Sequence, residues 1–389
     1  SYQLVLSTTP FYAESGGQIG DSGQLIGIEE TIDIIDTKKE NDLFIHKAKR
    51  LPKNLEGIFR AEVNQDKRSL IENNHTATHL LHAALREILG DHVQQRGSLV
   101  NDQSLRFDFS HFTKLSAEEL LAVEQQVNQK IRKNIPLVER RSIPIEKAKE
   151  EGATALFGEK YGDHVRMILF DAPYSVELCG GTHVKATGHI GVFKITSESS
   201  ISTGVRRIEA ITADMAESFL WQKIGLLDQI EQTLKHPSDT LKALQVLFNE
   251  KNELINQIEA FNKAKTKELK KTMMEAVEVY KGVNIISFEG TFPDAASVKE
   301  IAFDLKREMG PLILLIGANV GGKPLLTLMI QEELAQQNDL NASILIRQMA
   351  KSIQGGGGGQ DFYATAGGKN IEGLTAALEI GNQILKEKI

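Results

Sequence analysis

The chain has 389 residues, of which 41% are hydrophobic and 25% are charged, so it can build packed cores and is not a disordered tail. Its formal charge of -7 excludes a uniformly basic nucleic-acid-binding protein but allows local basic patches. Cys179 is the single cysteine, which excludes an intramolecular disulfide, and no segment approaches the ~20 apolar residues of a membrane helix. We expect a soluble, cytoplasmic protein and, because Ser1 opens on a strand pattern without a methionine, a piece of a longer chain.

The first half of the chain predicts an α+β architecture in two parts. Residues 1–60 alternate apolar and polar positions around the glycine-rich segment 15–23, which indicates the short strands and tight turns of a small β-barrel-like module. From Glu62 to Leu89 apolar residues recur at helical spacing, and Gly90 is a suitable helix end. Residues 61–212 as a whole predict a two-layer α/β domain, with strands at 98–109, 165–170, 191–195 and 204–211 and a helix at 117–131.

The second half predicts a helical arm followed by a small domain. Residues 213–281 carry apolar side chains at three- and four-residue steps, and Pro237 divides them into two helices of a helical hairpin or short coiled coil. Residues 282–389 alternate apolar runs with helical stretches, which is typical of a small α/β domain. Their runs lie at 283–288, 312–316 and 325–330, and their helices at 295–309, 342–353 and 374–386.

A segment in this last domain resembles a phosphate-binding loop but fails a chemical requirement. Residues 317–324 read GANVGGKP, and Pro324 stands where that motif needs a hydroxyl for Mg²⁺. The segment also joins two predicted strands instead of opening a helix. We expect a hairpin loop there.

Four side chains form the clearest chemical signal. His75 and His79 are four residues apart on a predicted helix and so share a face, and Cys179 and His183 flank paired glycines that allow a turn. Taken singly, a histidine pair can be accidental and a lone cysteine can be a small buried hydrophobe. Together the four side chains suit Zn²⁺. With four ligands the site would be closed and structural, whereas release of one, most easily His183, would open a position for water or substrate.

Four motifs, taken together, resemble a known family. Residues 9–18 read TPFYAESGGQ, residues 75–82 HTATHLLH, residues 177–184 ELCGGTHV and residues 204–210 GVRRIEA. Their order and spacing resemble the editing half of the alanyl-tRNA synthetases. The helical arm and the five glycines at 355–359 resemble the remainder of that half, and the class II aminoacylation domain has no counterpart among the motifs.

The resemblance implies hydrolytic editing of tRNA(Ala) mischarged with serine or glycine. Such editing is needed because serine and glycine differ little from alanine, so a pocket for alanine discriminates against them by only ~1–3 kcal/mol. Zinc would orient the 3′-terminal aminoacyl-adenosine, and it would either activate the attacking water or only position the substrate. The alternatives are a tRNA-binding and dimerisation module with a purely structural zinc, a free-standing alanyl-tRNA editing protein, and the threonyl-tRNA synthetase editing module. The threonyl module usually lacks the Cys-Gly-Gly-Thr-His motif and a five-glycine domain.

The resemblance also implies a substrate-binding role for the N-terminal motif. Gly16 and Gly17 would let the turn approach the substrate closely, and Thr9 or Gln18 would hydrogen-bond a serine hydroxyl. A plain tight turn is the alternative.

Further residues in the matched segments are implied to take part in catalysis. Gln94 or Gln95 would contact the aminoacyl end, unless both are ordinary surface glutamines. Of two adjacent arginines on a strand only one can face a phosphate at the site, and Arg206 is favoured over Arg207. Glu177 would orient a ligand imidazole or act as a base, or else it is simply solvated.

RNA contacts are expected on the arm and in the last domain. Residues 261–272 hold five lysines and one glutamate, a local net of +4, so Lys263, Lys267 and Lys270 would contact the tRNA backbone unless they form a solvated helix face. Gly357 in the glycine run would pack against RNA, with a flexible linker as the alternative. Members of the family that the chain resembles usually carry an arginine just after these glycines; it is absent here, so Phe362 or Tyr363 would stack on a base. A homodimer through the arm and the last domain is a further expectation.

Overall fold

A computed structural model describes residues 1–155 and 161–389 and divides the chain into two compact units, Ser1–Thr233 and Leu234–Ile389. Within these described residues the architecture is mixed α/β, with sheets of five, three, four and six strands. Among the described residues, no helix combines the length and apolar content needed to cross a bilayer.

The N-terminal part of the first unit is an antiparallel sheet. Its strands are β1 (Tyr2–Val5), β2 (Gly23–Ile26), β3 (Thr31–Glu40), β4 (Leu43–Ala48) and β5 (Arg60–Val63). They pair in the order β1-β4-β3-β2-β5, which places β1 and β5 at the two edges. Alternate residues of β3, Ile32 and Ile34, point to a small core that includes Phe11 and Leu25, as the period of a half-buried strand requires. The predicted short strands around a glycine-rich turn are therefore confirmed.

The helix α1 (Gln65–Leu89) lies at the centre of the first unit. The Asn64 side chain caps its start by accepting a hydrogen bond from the Lys67 N–H, and Gly90, with φ 115°, follows its end. Residues 73–82 are buried on every side of the helix, because β-strands and a second helix surround it. That second helix, α2 (Ala117–Arg132), begins at a capping box between Ser116 and Glu119. Both predicted helices are confirmed.

Two further antiparallel sheets complete the first unit. The elements are β6 (Gln95–Val100), β7 (Leu105–Ser110), β8 (Val138–Pro144), α3 (Ile145–Glu150), β9 (His164–Phe170), β10 (Ser175–Leu178), β11 (Phe193–Ser202), β12 (Val205–Thr212) and α4 (Ala213–Thr233). One sheet has the order β11-β12-β7-β6 and packs on α1 and α2, and the other has the order β10-β9-β8.

The prediction of one strand at 98–109 is wrong, because this segment is the hairpin of β6 and β7. The Asn101 side chain accepts hydrogen bonds from the N–H groups of Gln103 and Ser104 and so closes a turn. The strands predicted at 165–170 and 204–211 are confirmed within a residue or two as β9 and β12.

The second unit is built on a six-stranded sheet. Its elements are α5 (Thr240–Glu275), β13 (Glu278–Tyr280), β14 (Val283–Phe292), α6 (Ala295–Glu308), β15 (Leu312–Val320), β16 (Lys323–Ile330), α7 (Glu332–Gln337), α8 (Ala342–Met349), β17 (Gly356–Gly359), β18 (Tyr363–Gly367) and α9 (Leu374–Lys388). The strand order is β13-β14-β15-β16-β18-β17, with only β14 and β15 parallel. In β15, Leu314 and Ile316 pack with α5 and α6, while Ile313 and Leu315 pack with α8 and α9. Helices therefore cover both faces of the sheet, which gives this part of the chain a mixed α/β architecture.

Two glycine-rich segments of the second unit form different structures, a hairpin turn and an edge strand. The hairpin predicted at 317–324 is confirmed, because β15 and β16 pair directly and Gly321 and Gly322 both have positive φ at the turn. The run at 355–359 is neither linker nor loop, because β17 pairs with β18 at the edge of the sheet. A Cβ at Gly357 would lie 2.1 Å from the Thr365 carbonyl oxygen, so only glycine allows the two strands to approach so closely.

Candidate metal centre

Helix α1 and the loop after β10 bring His75, His79, Cys179 and His183 together. One donor atom from each side chain lies within 4.8 Å of all the others. The Nε2 atoms of His75 and His183 are each 3.4 Å from Cys179 Sγ. The three histidines are buried and Cys179 is partly exposed.

This arrangement fits a tetrahedral zinc ion. Zn–N bonds of about 2.0–2.1 Å and a Zn–S bond of about 2.3 Å set a tetrahedral N···S separation of about 3.5 Å, close to the two distances observed. His79 Nδ1 is buried and, within the part of the chain that the structure describes, has no hydrogen-bond partner. Three imidazoles and one thiolate are the borderline-soft donors that Zn²⁺ favours.

The histidines are held in the protonation state that metal coordination requires. Burial lowers the pKa of His75 and of His183 well below the usual value, and the neighbouring histidines and Arg166 lower it further. Burial lowers the pKa of His79 as well, although Glu177 opposes the shift. All three imidazoles are therefore neutral near pH 7 and can offer a lone pair.

Two polar side chains behind the cluster orient its imidazoles. Gln18 is completely buried, and its Oε1 lies 2.6 Å from His75 Nδ1 and accepts a hydrogen bond from the Thr182 N–H at 2.9 Å. Thr76 Oγ1 lies 3.1 Å from His183 Nδ1. In each case the contact engages Nδ1, which leaves Nε2 directed at the cysteine sulfur.

Close backbone approaches explain two glycines of the motifs. A Cβ at Gly181 would lie 2.1 Å from His75 Cε1, so this position accepts no side chain while His75 keeps its place. A Cβ at Gly17, where φ is +87°, would lie 2.5 Å from the Ser98 carbonyl oxygen. At Gly180, in contrast, a Cβ would meet nothing within 4 Å.

Glu177 connects the cluster to a further histidine on α1. Its Oε2 is 3.7 Å from His79 Nε2 and its Oε1 is 3.3 Å from His82 Nδ1. Burial by itself raises the pKa of Glu177, but the two histidines and Arg86 counteract it, and the pKa lies below the usual value. The ionised carboxylate therefore lies between His79 and His82, in the place that an outer partner of a metal ligand takes.

A small cavity of about 70 Å³ opens on the cluster, with room for a few water molecules. Its walls come from separate parts of the first unit. Ser15 and Gly16 belong to the N-terminal module and Gln95 belongs to β6, and the wall also includes Glu177 and three of the four donor side chains, those of His75, His79 and Cys179. A small polar group can therefore reach the donor atoms from outside.

Comparison with known proteins gives consistent relatives for the whole chain. The alanine–tRNA ligase of Cytophaga hutchinsonii is 51% identical over 385 residues, which cover 99% of this chain and 44% of that protein. The alanine–tRNA ligase of Bacteroides fragilis is 51% identical over 379 residues, covering 97% of this chain and 43% of that protein. Over nearly its whole length, the chain is similar in sequence to alanine–tRNA ligases. It spans less than half the length of these relatives.

Three family descriptions match separate parts of the chain. Residues 160–209 match the threonyl and alanyl tRNA synthetase second additional domain, residues 1–67 match class II (A) tRNA synthetases, and residues 282–387 match the DHHA1 domain. Among solved structures, the C-Ala domain of Aquifex aeolicus alanyl-tRNA synthetase is 22% identical, with a TM-score of 0.26, and covers 28% of this chain and 97% of that one.

Not every site residue expected from the alanyl-tRNA synthetase motifs lies at the cavity. Thr9 Oγ1 is 2.7 Å from His46 Nε2, and Gln18 is buried behind His75, so both polar groups are already engaged inside the protein. Gln94 lines a neighbouring cavity with Gln95 and His82. The Arg206 guanidinium forms an ion pair with the buried carboxylate of Glu198. These contacts favour a positioning role for Gln18 over contact with a serine hydroxyl.

The expected RNA-binding residues of the second unit differ in their surroundings. Lys263 and Lys267 are exposed on α5, whereas the Lys270 ammonium is 2.7 Å from Glu308 and 3.5 Å from Asp304 on α6. The side-chain position of Gly357 is filled by β18. Phe362 is half-buried, with the Lys306 ammonium 4.6 Å from the centre of its ring.

Three further partners of the cluster, Thr76, His82 and Arg166, were not predicted from the sequence. His82 follows His79 by three residues and so lies on the same helix face, a spacing that signals proximity. Thr76 and Arg166 carry no such signal, because their contacts cross from one element to another.

Proposed function

We propose that the first unit hydrolyses the ester bond of tRNA(Ala) mischarged with serine or glycine, as the editing part of an alanine–tRNA ligase. The observation that carries the proposal is the convergence of His75, His79, Cys179 and His183, of which the first three line a cavity together with Gly16 and Gln95. The relatives are ligases that attach alanine. A pocket for alanine discriminates against serine or glycine by only ~1–3 kcal/mol, because these side chains differ so little from that of alanine. A second, hydrolytic site supplies the missing discrimination.

Zn²⁺, which the four donors fit, would act there as a Lewis acid or bind and orient the aminoacyl group. The chain's own residues prepare the site. Gln18 orients the His75 ring, Glu177 lies beside His79, and the small cavity leads to three of the four donor side chains. Gly16 lines the cavity and has no side chain, so its backbone is accessible to a substrate there.

A second candidate is a tRNA-binding and dimerisation module whose zinc is purely structural. Four protein donors facing one point is the composition of a closed structural site. The adjoining cavity favours the hydrolytic function, because a structural site needs no access from outside.

Release of serine from Ser-tRNA(Ala) by the 389-residue chain separates the two candidates. We expect hydrolysis that a zinc chelator abolishes, while Ala-tRNA(Ala) is spared. Cys179→Ala should lower zinc content and hydrolysis together, whereas the exposed His189→Ala should lower neither. Bound zinc without any serine release would overturn the hydrolytic function, and unchanged zinc stoichiometry in Cys179→Ala would overturn the ligand assignment.

For the second unit we propose tRNA binding, which the exposed Lys263 and Lys267 support. We also propose a homodimer, supported by Leu247, Leu254 and Ile258, which are exposed along α5. Ile258→Glu should then lower the mass observed by sedimentation equilibrium, and Asn256→Glu at an exposed polar position of the same helix should not. A cytoplasmic location accords with the single cysteine.

A further inference from the structure

Arg166 on β9 binds the backbone of the metal-binding loop at several points. Its Nη1 donates hydrogen bonds to the carbonyl oxygens of Cys179, at 2.9 Å, and Gly181, at 2.6 Å. Its own carbonyl oxygen accepts a hydrogen bond from the Cys179 N–H at 3.1 Å. One residue therefore bridges both ends of the Cys179–Gly181 turn.

This turn determines where two of the four donors lie. The Gly181 N–H donates a hydrogen bond to Cys179 Sγ at 3.4 Å, and His183 follows two residues later. Paired glycines have the largest conformational freedom to lose on ordering, so the turn needs contacts from outside to remain in one conformation. The guanidinium supplies these contacts, since its rigid fork of donors suits two carbonyls held in fixed positions.

Glu139 on β8 keeps the guanidinium in place. Its Oε1 accepts a hydrogen bond from Arg166 Nε at 2.5 Å and one from Arg141 Nε at 2.8 Å. Hydrogen bonds from Arg141 and Arg166 lower the pKa of Glu139 to about 2, so this carboxylate is ionised at any working pH. Arg141 is exposed and shares the carboxylate without touching the loop, which makes it a matched control.

The charge of Arg166 and its hydrogen bonds to the loop have opposite effects on metal affinity. A positive charge beside a cation site repels the ion, so by charge alone the removal of Arg166 would tighten metal binding. Loss of the hydrogen bonds to the loop would instead weaken it, because the donors would have to be ordered when the ion binds. Nearby Glu139 offsets the charge, so the loss of order outweighs the gain.

We propose that Arg166 is a positioning residue that holds the Cys179–Gly181 turn in the conformation that presents Cys179 and His183 to the metal ion. The inference rests on the metal site proposed above. It predicts that Arg166→Gln weakens Zn²⁺ binding by about 10- to 100-fold, the usual effect of losing an outer-shell partner. Arg166→Lys keeps the charge but loses the rigid fork, so it should restore little of this affinity.

The test is competition for Zn²⁺ between the full chain and a chromophoric chelator, for wild type, Arg166→Gln, Arg166→Lys and Arg141→Gln. Absorption of the Co²⁺-loaded proteins reports thiolate ligation by Cys179, and urea unfolding of the metal-free proteins reports stability. We expect affinity to fall in both Arg166 variants, with altered Co²⁺ spectra, and to stay within about twofold of wild type in Arg141→Gln.

Each other outcome overturns the inference in a recognisable way. Equal or tighter Zn²⁺ binding by Arg166→Gln would show that its charge, not its hold on the loop, dominates. A loss of metal-free stability with unchanged Zn²⁺ affinity would make Arg166 merely structural. Failure of wild type to bind Zn²⁺ would overturn the metal site and the proposed function themselves, whereas the first two outcomes leave both intact.

Discussion

A methyl group at position 181 would occupy space that the His75 ring already fills. The Cβ of Gly181→Ala would lie 2.1 Å from His75 Cε1, 2.5 Å from Nδ1 and 2.7 Å from Gln18 Oε1. Carbon atoms in ordinary contact are about 3.5–4.0 Å apart, so the ring or the loop must move by more than about 1 Å. The ring is buried and bound to Gln18, so its movement breaks that hydrogen bond.

The expected cost combines two terms. Overpacking of a filled interior costs about 1–3 kcal/mol, and one lost buried hydrogen bond adds about 1 kcal/mol, so the free energy of unfolding should fall by about 2–4 kcal/mol. Because His75 is also a metal ligand in the proposed site, Zn²⁺ affinity should fall with it. Gly180→Ala supplies the matched control, since its Cβ would meet nothing within 4 Å.

Urea unfolding of the metal-free proteins and chelator competition for Zn²⁺ measure the two effects separately. Gly181→Ala should lower both the stability and the Zn²⁺ affinity, and Gly180→Ala should change neither by a comparable amount. If Gly181→Ala keeps the wild-type Zn²⁺ affinity, or if the two variants lose equally, the packing of the loop against His75 is not what the structure describes.

Three further predictions concern other parts of the chain. Gln18→Ala leaves buried polar groups without their acceptor, so urea unfolding should show a loss of about 1–3 kcal/mol that the exposed Gln24→Ala lacks. Burial lowers the pKa of His46, although a hydrogen bond to a backbone carbonyl opposes the shift. Below about pH 6.5, His46 is therefore protonated in the unfolded chain but still neutral in the folded chain. The free energy of unfolding should decrease as the pH is lowered from about 6.5 to the pKa of His46 in the folded chain. His46→Gln should flatten that acid loss in unfolding curves, and equal slopes would contradict the assignment. In filter binding at several salt concentrations, Lys267→Gln should weaken tRNA binding and reduce the salt slope by about 1. Lys270→Gln should leave the affinity unchanged, because its ammonium already pairs with carboxylates of α6, and equal losses in both variants would refute the distinction.

Local sequence patterns were sufficient for features that depend on neighbours along the chain. The helical period over Glu62–Leu89 predicted α1, and the spacing of His75 and His79 placed both on one face of it. The break at Pro237 separated α4 from α5. The hairpin at 317–324 followed from its position between two predicted strands.

Patterns failed where a strand is defined by its pairing or by a turn and not by an apolar repeat. The run of glycines at 355–359 has no side-chain pattern, so its strand character arises only from pairing with β18. The segment 98–109 is apolar enough for one strand, and the turn made by Asn101 divides it in two. In both cases the deciding hydrogen bonds are not encoded in hydrophobic periodicity.

The candidate metal ligands could therefore be predicted from the sequence, whereas the residues that hold them in place could not. The sequence by itself determined the four candidate metal ligands, because His75 and His79 share a helical face and Cys179 and His183 flank a flexible turn. Only the tertiary structure decided which groups hold them, since Gln18 and Arg166 reach the cluster from separate elements. The physical reason is that coordination chemistry is visible in residue types and short spacings, whereas outer hydrogen bonds depend on the distances that folding sets.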